Sequence, residues 1–443
     1  MRTRRILQGI FWIAVYLALT LAPLLILLVG QRPPGRALYR DFSVALGFAG
    51  LAMMALQFAL TARFRFLKAP YGSDIVYFFH RQISLVAFVL ILAHPLLLFV
   101  FDPQTLGLLN VFSAPWRARA AVTATLALIA LVLISIFRKQ WKIEYTQWRI
   151  WHGFLAAAAV GLGLVHAVLV GYYINTPAKQ VLWVGYGLFW VGLLVWVRVI
   201  KPLLLLRRPY VIEAVRPERG SAWTLVMRPD GHRGLRFHPG QFAWITAGSS
   251  PFADAEHPFS ISSSAEDPKR LSMTIKALGD FTSTVKDMQP GLRVYLDGAF
   301  GSFSVDRHPH ARGFVFIAGG IGITPMMSML STLADRGDRR PLWLLYANRD
   351  WESVTFREEL EALKQRLDLR VIHFLEDPPA DWQGETGYIN AEKLARHLPP
   401  ERAQNMYEMF ICGPKPMMDA VEKALVQIKV PMGDFHSERF DMV

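Results

Sequence analysis

Residues 75–101 read IVYFFHRQISLVAFVLILAHPLLLFVF, and residues 148–172 read WRIWHGFLAAAAVGLGLVHAVLVGY. Each segment is long enough to cross a hydrocarbon layer of about 30 Å. Each also holds two imidazoles, His80 and His94 in the first and His152 and His166 in the second, with the same i to i+14 spacing. Ionisable side chains are expensive in hydrocarbon, and those that persist there usually do chemistry or bind something. An α-helix rises about 1.5 Å and turns about 100° per residue, so fourteen steps return to nearly the same face roughly 21 Å further along. Two parallel helices of this kind predict His80 facing His152 and His94 facing His166. A planar cofactor, haem, is expected in each gap. The alternatives are interhelical hydrogen bonds or a proton or metal pathway, and matched spacing at matched depth weighs against both. Gly153, Gly161 and Gly163, with Ala87 and Ala93, are expected to let large rings approach the backbone.

Four further apolar stretches, near 9–30, 41–62, 119–137 and 181–204, complete six candidate spans. The first follows Met-Arg-Thr-Arg-Arg, but its apolar run is too long for a secretory signal and reads as a retained anchor. Charge is divided unevenly: residues 1–209 hold 21 Lys/Arg against 4 Asp/Glu, whereas residues 210–443 hold 27 against 31. The net charge of +13 therefore belongs to membrane loops, and no nucleic-acid partner is expected. Arg2, Arg4, Arg5, Arg63, Arg65, Lys68, Arg138, Lys139, Lys142, Arg198, Lys201, Arg207 and Arg208 fall on one side of the spans. The other side carries fewer: Arg32, Arg36, Arg40, Arg117, Arg119 and Lys179. The positive-inside rule predicts an integral plasma (inner) membrane protein with six spans and both termini cytoplasmic. Arg81 and Arg149 are candidates to neutralise carboxylates of an inner haem, or ordinary interfacial charges. A single cysteine, Cys412, rules out an intramolecular disulfide and fits a reducing compartment.

After residue 209 hydropathy falls. Strand-like runs (Thr224–Val226, Phe242–Ile245, Leu271–Ile275) predict a small β-barrel domain. From residue 311, strand–turn–helix units follow: Gly313–Ala318 with Pro325–Leu333, Pro341–Ala347 with Thr355–Arg366, and Met409–Cys412 with Lys415–Val426. They predict a parallel α/β domain. The chain divides as a six-helix domain (1–208), a barrel (209–310) and a nucleotide-binding α/β domain (311–443).

In the barrel, His257-Pro258-Phe259-Ser260-Ile261-Ser262 precedes Lys276-Ala277-Leu278-Gly279-Asp280-Phe281-Thr282. A flavin needs an aromatic plane, a hydrogen-bonding group near its reactive ring nitrogen, and amides or hydroxyls for its pyrophosphate. Phe259, Ser260 and the Gly279–Thr282 turn offer these in order. Downstream, Ala318-Gly319-Gly320-Ile321-Gly322-Ile323-Thr324-Pro325 joins an apolar strand to a helix, where glycines and the helix N-terminus suit phosphates. Arg349, after the second strand, suits a 2′-phosphate and so NADPH, or is a surface charge. Cys412-Gly413-Pro414 ends a strand at the same sheet edge, where Cys412 lines a nicotinamide site or is a small buried hydrophobe.

With these motifs in order (HPFS, KALGDFT, DGAFGSFS, GGIGITP, NRD and CGP), the chain resembles the NADPH oxidase / ferric reductase superfamily, particularly a minimal prokaryotic member. The resemblance covers nearly its whole length. It implies an all-α six-helix transmembrane bundle with two b-type haems on His80, His94, His152 and His166. A ferredoxin–NADP reductase-like module follows, with a β-barrel FAD domain and an α/β NADPH domain. By resemblance, His257, Pro258, Phe259, Ser260, Ile261, Ser262, Lys276, Gly279, Asp280, Phe281 and Thr282 bind FAD. Gly319, Gly320, Gly322, Thr324, Pro325, Arg349, Cys412, Gly413 and Pro414 bind NADPH. Ser260, Cys412, Glu438 and Phe440 are the implied catalytic positions, with Phe440 shielding the flavin although three residues follow it. The implied activity passes electrons from NADPH through FAD and two haems to a far-side acceptor. That acceptor is dioxygen, giving superoxide, or else a ferric chelate; no obligatory protein partner is implied.

Overall fold

The computed structural model describes residues 2–31, 33–64, 73–248, 250–253, 256–399 and 406–439. It divides into two compact units after Pro202.

Six apolar helices build the first: α1 (Arg2–Leu25), α2 (Leu38–Thr61), α3 (Ser73–Phe101), α4 (Trp116–Ile136), α5 (Tyr145–Val170) and α6 (Pro177–Val195). A π turn, Trp196–Ile200, carries α6 into the short α7 (Lys201–Leu206). Six helices among the described residues are long and apolar enough to cross a membrane. Their outward faces are rich in exposed Leu, Val, Ile and Phe, the inverse of a water-soluble bundle. The shared core is lined by Met53, Met54, Ala87, Leu128, Leu131, Ala156, Val160 and Trp190.

Small residues set the helix spacing, though not as the sequence suggested. A Cβ on Gly153 would meet the Arg198 guanidinium, one on Gly161 the Trp190 ring, and one on Gly163 the Leu51 side chain. These glycines and the fully buried Ala87 serve close helix–helix packing rather than ring approach. The glycine that touches an imidazole is Gly47 on α2, whose Cβ would lie 3.2 Å from the His94 ring.

The second unit opens with a six-stranded antiparallel sheet: β1 (Pro209–Glu218), β2 (Ala222–Pro229), β3 (Phe242–Ala247), β4 (His257–Ser260), β5 (Leu271–Lys276) and β6 (Arg293–Phe300). Its order is β4-β3-β6-β1-β2-β5. An antiparallel bridge from Ile261 to Met273 on β5 curls the sheet towards closure around Ile212, Leu225, Ile245, Met273 and Ile275. A one-turn helix, α8 (Asp280–Thr284), follows β5.

The remaining residues alternate strand and helix: β7 (Gly313–Gly319), α9 (Ile323–Asp335), β8 (Leu342–Asn348), α10 (Arg357–Lys364), β9 (Leu369–Leu375), β10 (Glu385–Thr386), α11 (Ala391–His397), β11 (Tyr407–Cys412), α12 (Lys415–Gln427) and β12 (Phe435–Glu438). All are parallel, in the order β10-β9-β8-β7-β11-β12. The chain winds outward from β7 through β8 to β10, then returns to β7's other side. The switch point between β7 and β11 is where open α/β sheets bind ligands, beyond the strands' carboxyl ends. β7 is buried on both faces, as its continuous apolar run requires. Helix α9 also ties the barrel to this sheet: Thr332 Oγ1 accepts from Ala265 N (2.9 Å), and Ser328 Oγ donates to Ser263 O (2.8 Å).

Candidate functional site

Within the helical unit the four histidines meet in two pairs, His80 with His152 and His94 with His166. Ring centroids lie 6.3 Å and 6.4 Å apart. Metal–nitrogen bonds of about 2 Å on both sides of one ion put imidazole centroids roughly 6 Å apart. In each ring Nδ1 is engaged by protein: His80 by Gln57 Oε1 (2.9 Å), His152 by Ser135 Oγ (3.1 Å), His94 by Ser43 O (3.0 Å), and His166 by the Arg117 carbonyl (2.8 Å). Ser43 Oγ also lies 2.8 Å from His94 Nδ1. Such contacts hold the tautomer that leaves Nε2 as the ligand nitrogen. The donor set thus fits a metal between each pair. Gln57, Ser43 and Ser135 escaped the sequence reading, although polar residues inside apolar spans were themselves a signal.

In the second unit, β4 carries the His257–Ser260 segment beside β3. The rings of His257 and Phe281 stack 3.9 Å apart at 13°, and Phe259 lies 6.0 Å from Phe281 at 19°. Pro258 is half-buried opposite Trp244. Ser260 is buried, and its Oγ has no hydrogen-bond partner among the described residues. An orphaned buried hydroxyl costs about 1–3 kcal/mol, which a ligand's polar atom beside it would relieve. Ile261 fills the barrel core instead, and the Ser262 hydroxyl accepts from Thr274 Oγ1 at 3.1 Å. Lys276 ends β5, half-buried, and Gly279 and Asp280 are exposed. Thr282 Oγ1 accepts from Leu278 N (2.9 Å) and Gly279 N (2.8 Å), so it braces its own turn rather than pointing at a ligand.

At the switch point the three glycines play different parts. A Cβ on Gly322 would lie 2.3 Å from the Cys412 carbonyl oxygen, and one on Gly319 would lie 2.3 Å from Met417 Sδ. Gly413 is pressed against the Gly319 backbone in turn. These residues are glycine because two chain segments touch. Gly320 alone adopts a left-handed φ, +50°, with open space before it. Thr324 and Pro325 are buried in the first turn of α9, and Thr324 Oγ1 donates to Ile321 O at 2.6 Å. Pro414 stands exposed at the head of α12.

Cys412 is fully buried in the apolar core between sheet and helices. Burial first, then the nearby Glu438, pushes its thiol well above the usual range. Of the two roles the sequence left open for its side chain, the structure gives the buried one. Glu438 is buried opposite Cys412, with Gly301 against its carboxylate. Arg349, beyond β8, is 77% exposed and pairs with Asp377 at 3.1 Å. Phe440 lies outside the described residues.

Three family models match: "ferric reductase like transmembrane component" over residues 46–163, "FAD-binding domain" over 224–296, and "oxidoreductase NAD-binding domain" over 316–423. Helices, curled sheet and parallel α/β domain thus make this a membrane-anchored oxidoreductase with FAD- and NAD-binding domains. Its domain architecture is that of the NADPH oxidase / ferric reductase superfamily. The chain is 31% identical to the stachydrine N-demethylase reductase subunit of Rhizobium meliloti over 51% of its length. It is 33% identical to the ferredoxin reductase component of 3-ketosteroid-9-alpha-monooxygenase of Mycobacterium tuberculosis over 52%. It spans 64% of the length of each. A solved ferredoxin reductase in carbazole 1,9a-dioxygenase is 24% identical, covering 53% of this chain and 69% of its own, with a TM-score of 0.46.

Proposed function

We propose that this chain carries electrons from NADPH on the cytoplasmic side of the plasma (inner) membrane to an acceptor on the far side, and that the acceptor is dioxygen, released as superoxide. The observation that carries this reading is the pair of histidine couples, each at a separation that suits one shared iron. His80 and His152 would hold one haem b, and His94 and His166 a second. Phe259, Ser260 and the 276–282 turn would hold FAD. Bound there, these groups would supply what side chains cannot: a hydride acceptor that releases single electrons, and two irons that relay them.

The chain's own residues position and insulate. Gln57, Ser135, Ser43 and the Arg117 carbonyl fix the imidazole tautomers. Gly320 leaves room for a phosphate at the head of α9, and Arg349 offers a cation to a 2′-phosphate once it turns from Asp377. The protonated, buried Cys412 presents no competing nucleophile. The basic side of the spans supports cytoplasmic termini.

Dioxygen is favoured over a ferric chelate because three of the far-side arginines are engaged. Arg36 lies over the Tyr172 ring at 3.3 Å, Arg40 pairs with Asp102, and Arg119 donates to Ala114 O and Phe112 O. The relatives' names describe a reductase subunit of a demethylase and a reductase component of a monooxygenase, so delivery to a partner enzyme is a further outcome to test. The test is acceptor reduction by purified, haem-loaded protein given NADPH. We expect a b-type spectrum and cytochrome c reduction that superoxide dismutase suppresses. Dismutase-insensitive reduction with fast anaerobic turnover of ferric chelates would overturn the oxidase reading, and absence of bound haem would overturn the whole scheme.

A further inference from the structure

Glu408, near the start of β11, sits between two imidazoles that electron transfer does not employ. His308 Nδ1 lies 2.9 Å from Glu408 Oε1, and His436 Nε2 lies 2.7 Å from Oε2. The two rings are 4.4 Å apart. The three side chains come from separate segments: β11, β12, and the turn between β6 and β7. One donor atom from each lies within 4.8 Å of the others, and no other group of three His, Cys, Asp or Glu among the described residues is so arranged. Their side chains are 12% (His308), 21% (Glu408) and 24% (His436) exposed, so the cluster is sheltered yet reachable from solvent. Phe410 forms an apolar wall, 5.8 Å from the His308 ring and 5.3 Å from the His436 ring. Burial opposes a charge on Glu408, but the two histidine hydrogen bonds outweigh it and bring its pKa down to about 2.

We propose that His308, Glu408 and His436 form a binding site for a divalent transition-metal ion, zinc by donor chemistry, that clips the edge strand β12 to the turn leading into β7. Two imidazoles and a carboxylate suit zinc and its neighbours better than magnesium or calcium, which prefer all-oxygen sets. Three protein ligands leave the fourth position to water. Adjacent ligand atoms in a tetrahedral zinc site are roughly 3.4 Å apart, so rotation of the side chains suffices. Each imidazole must present a lone pair to the ion, so a proton on the liganding nitrogen moves to the outward nitrogen or is released. The site lies at the amino end of β11, opposite the carboxyl ends that face the nicotinamide site, and is independent of the electron-transfer reading.

The experiment titrates metal-stripped, full-length protein in detergent with zinc chloride in competition with a chromogenic chelator. Wild type is compared with His308→Ala/His436→Ala and with Glu408→Gln, which preserves shape. We expect wild type to take up one zinc per chain more than the double variant and to melt at higher temperature with zinc. Glu408→Gln should bind at least about tenfold more weakly, since even an outer-shell change costs 10–100-fold. Equal uptake and affinity in wild type and Glu408→Gln would overturn the proposal, whether or not the double variant folds. The cluster would then be a hydrogen-bonded latch only.

Discussion

Replacing Gly322 by alanine would put a methyl group 2.3 Å from the Cys412 carbonyl oxygen, 2.5 Å from its carbon and 2.8 Å from Gly413 N. All three are backbone atoms, so no side chain can swing aside. The segment must retreat by about 1 Å to reach an ordinary contact, which pulls the head of α9 from the end of β11. Overpacking of this kind costs about 1–3 kcal/mol. At about 2–4 °C per kcal/mol for a unit of this size, Tm should fall by roughly 2–12 °C. Gly320→Ala is the matched control, because its Cβ meets nothing and the left-handed backbone costs only about 1–2 kcal/mol. Its methyl would instead occupy the space left for a phosphate. Thermal unfolding and NADPH kinetics on the two purified variants separate these effects. We expect Gly322→Ala to lose stability through the sheet, and Gly320→Ala to raise the KM for NADPH several-fold with a smaller loss of Tm. If Gly322→Ala melts with wild type, the chain-on-chain account of these glycines is wrong.

Other expectations follow from single contacts. Gln57→Leu removes the acceptor 2.9 Å from His80 Nδ1. It should weaken haem retention by about 10–100-fold, read as lost b-type absorbance, while full retention would exclude Gln57 as an orienting group. Burial lowers the His373 pKa to about 4. The unfolded chain binds this proton near pH 6.5 and the folded chain only near pH 4, so the stability His373 contributes as a neutral ring is complete above about pH 6.5. It is lost as pH falls towards 4, and His373→Phe should flatten that part of the stability profile. Cys412 is the single cysteine and fully buried, so a disulfide reagent should label it only after denaturation; stoichiometric labelling of native protein would refute its core placement. Arg349→Glu should raise the KM for NADPH far more than for NADH, and equal effects would remove Arg349 from 2′-phosphate recognition.

The sequence alone determined the spans, the order of domains, the histidine pairing and the position of the glycine-rich turn. Each depends on local period or composition: an unbroken apolar run of more than twenty residues reads as a span without reference to anything else. Imidazoles fourteen apart share a helix face by geometry alone. Strands β1 and β6 were not marked by the same reading, because β1 mixes charges and prolines with its apolar residues and β6 interrupts its run with Asp297 and Gly298. What required the tertiary structure was the partner of each side chain. Sequence assigned Gly319, Gly320 and Gly322 a common role, whereas contact with α12 and β11 separates them. It allowed Cys412 to line a nicotinamide site or to be a small buried hydrophobe, and the pairing of β11 with β7 and β12 buries it. Gln57 and Ser135 meet His80 and His152 across 23 and 17 positions, and Glu408 meets His308 and His436 from separate segments. Such meetings are set by how helices and strands pack, and no local pattern encodes which distant atom arrives.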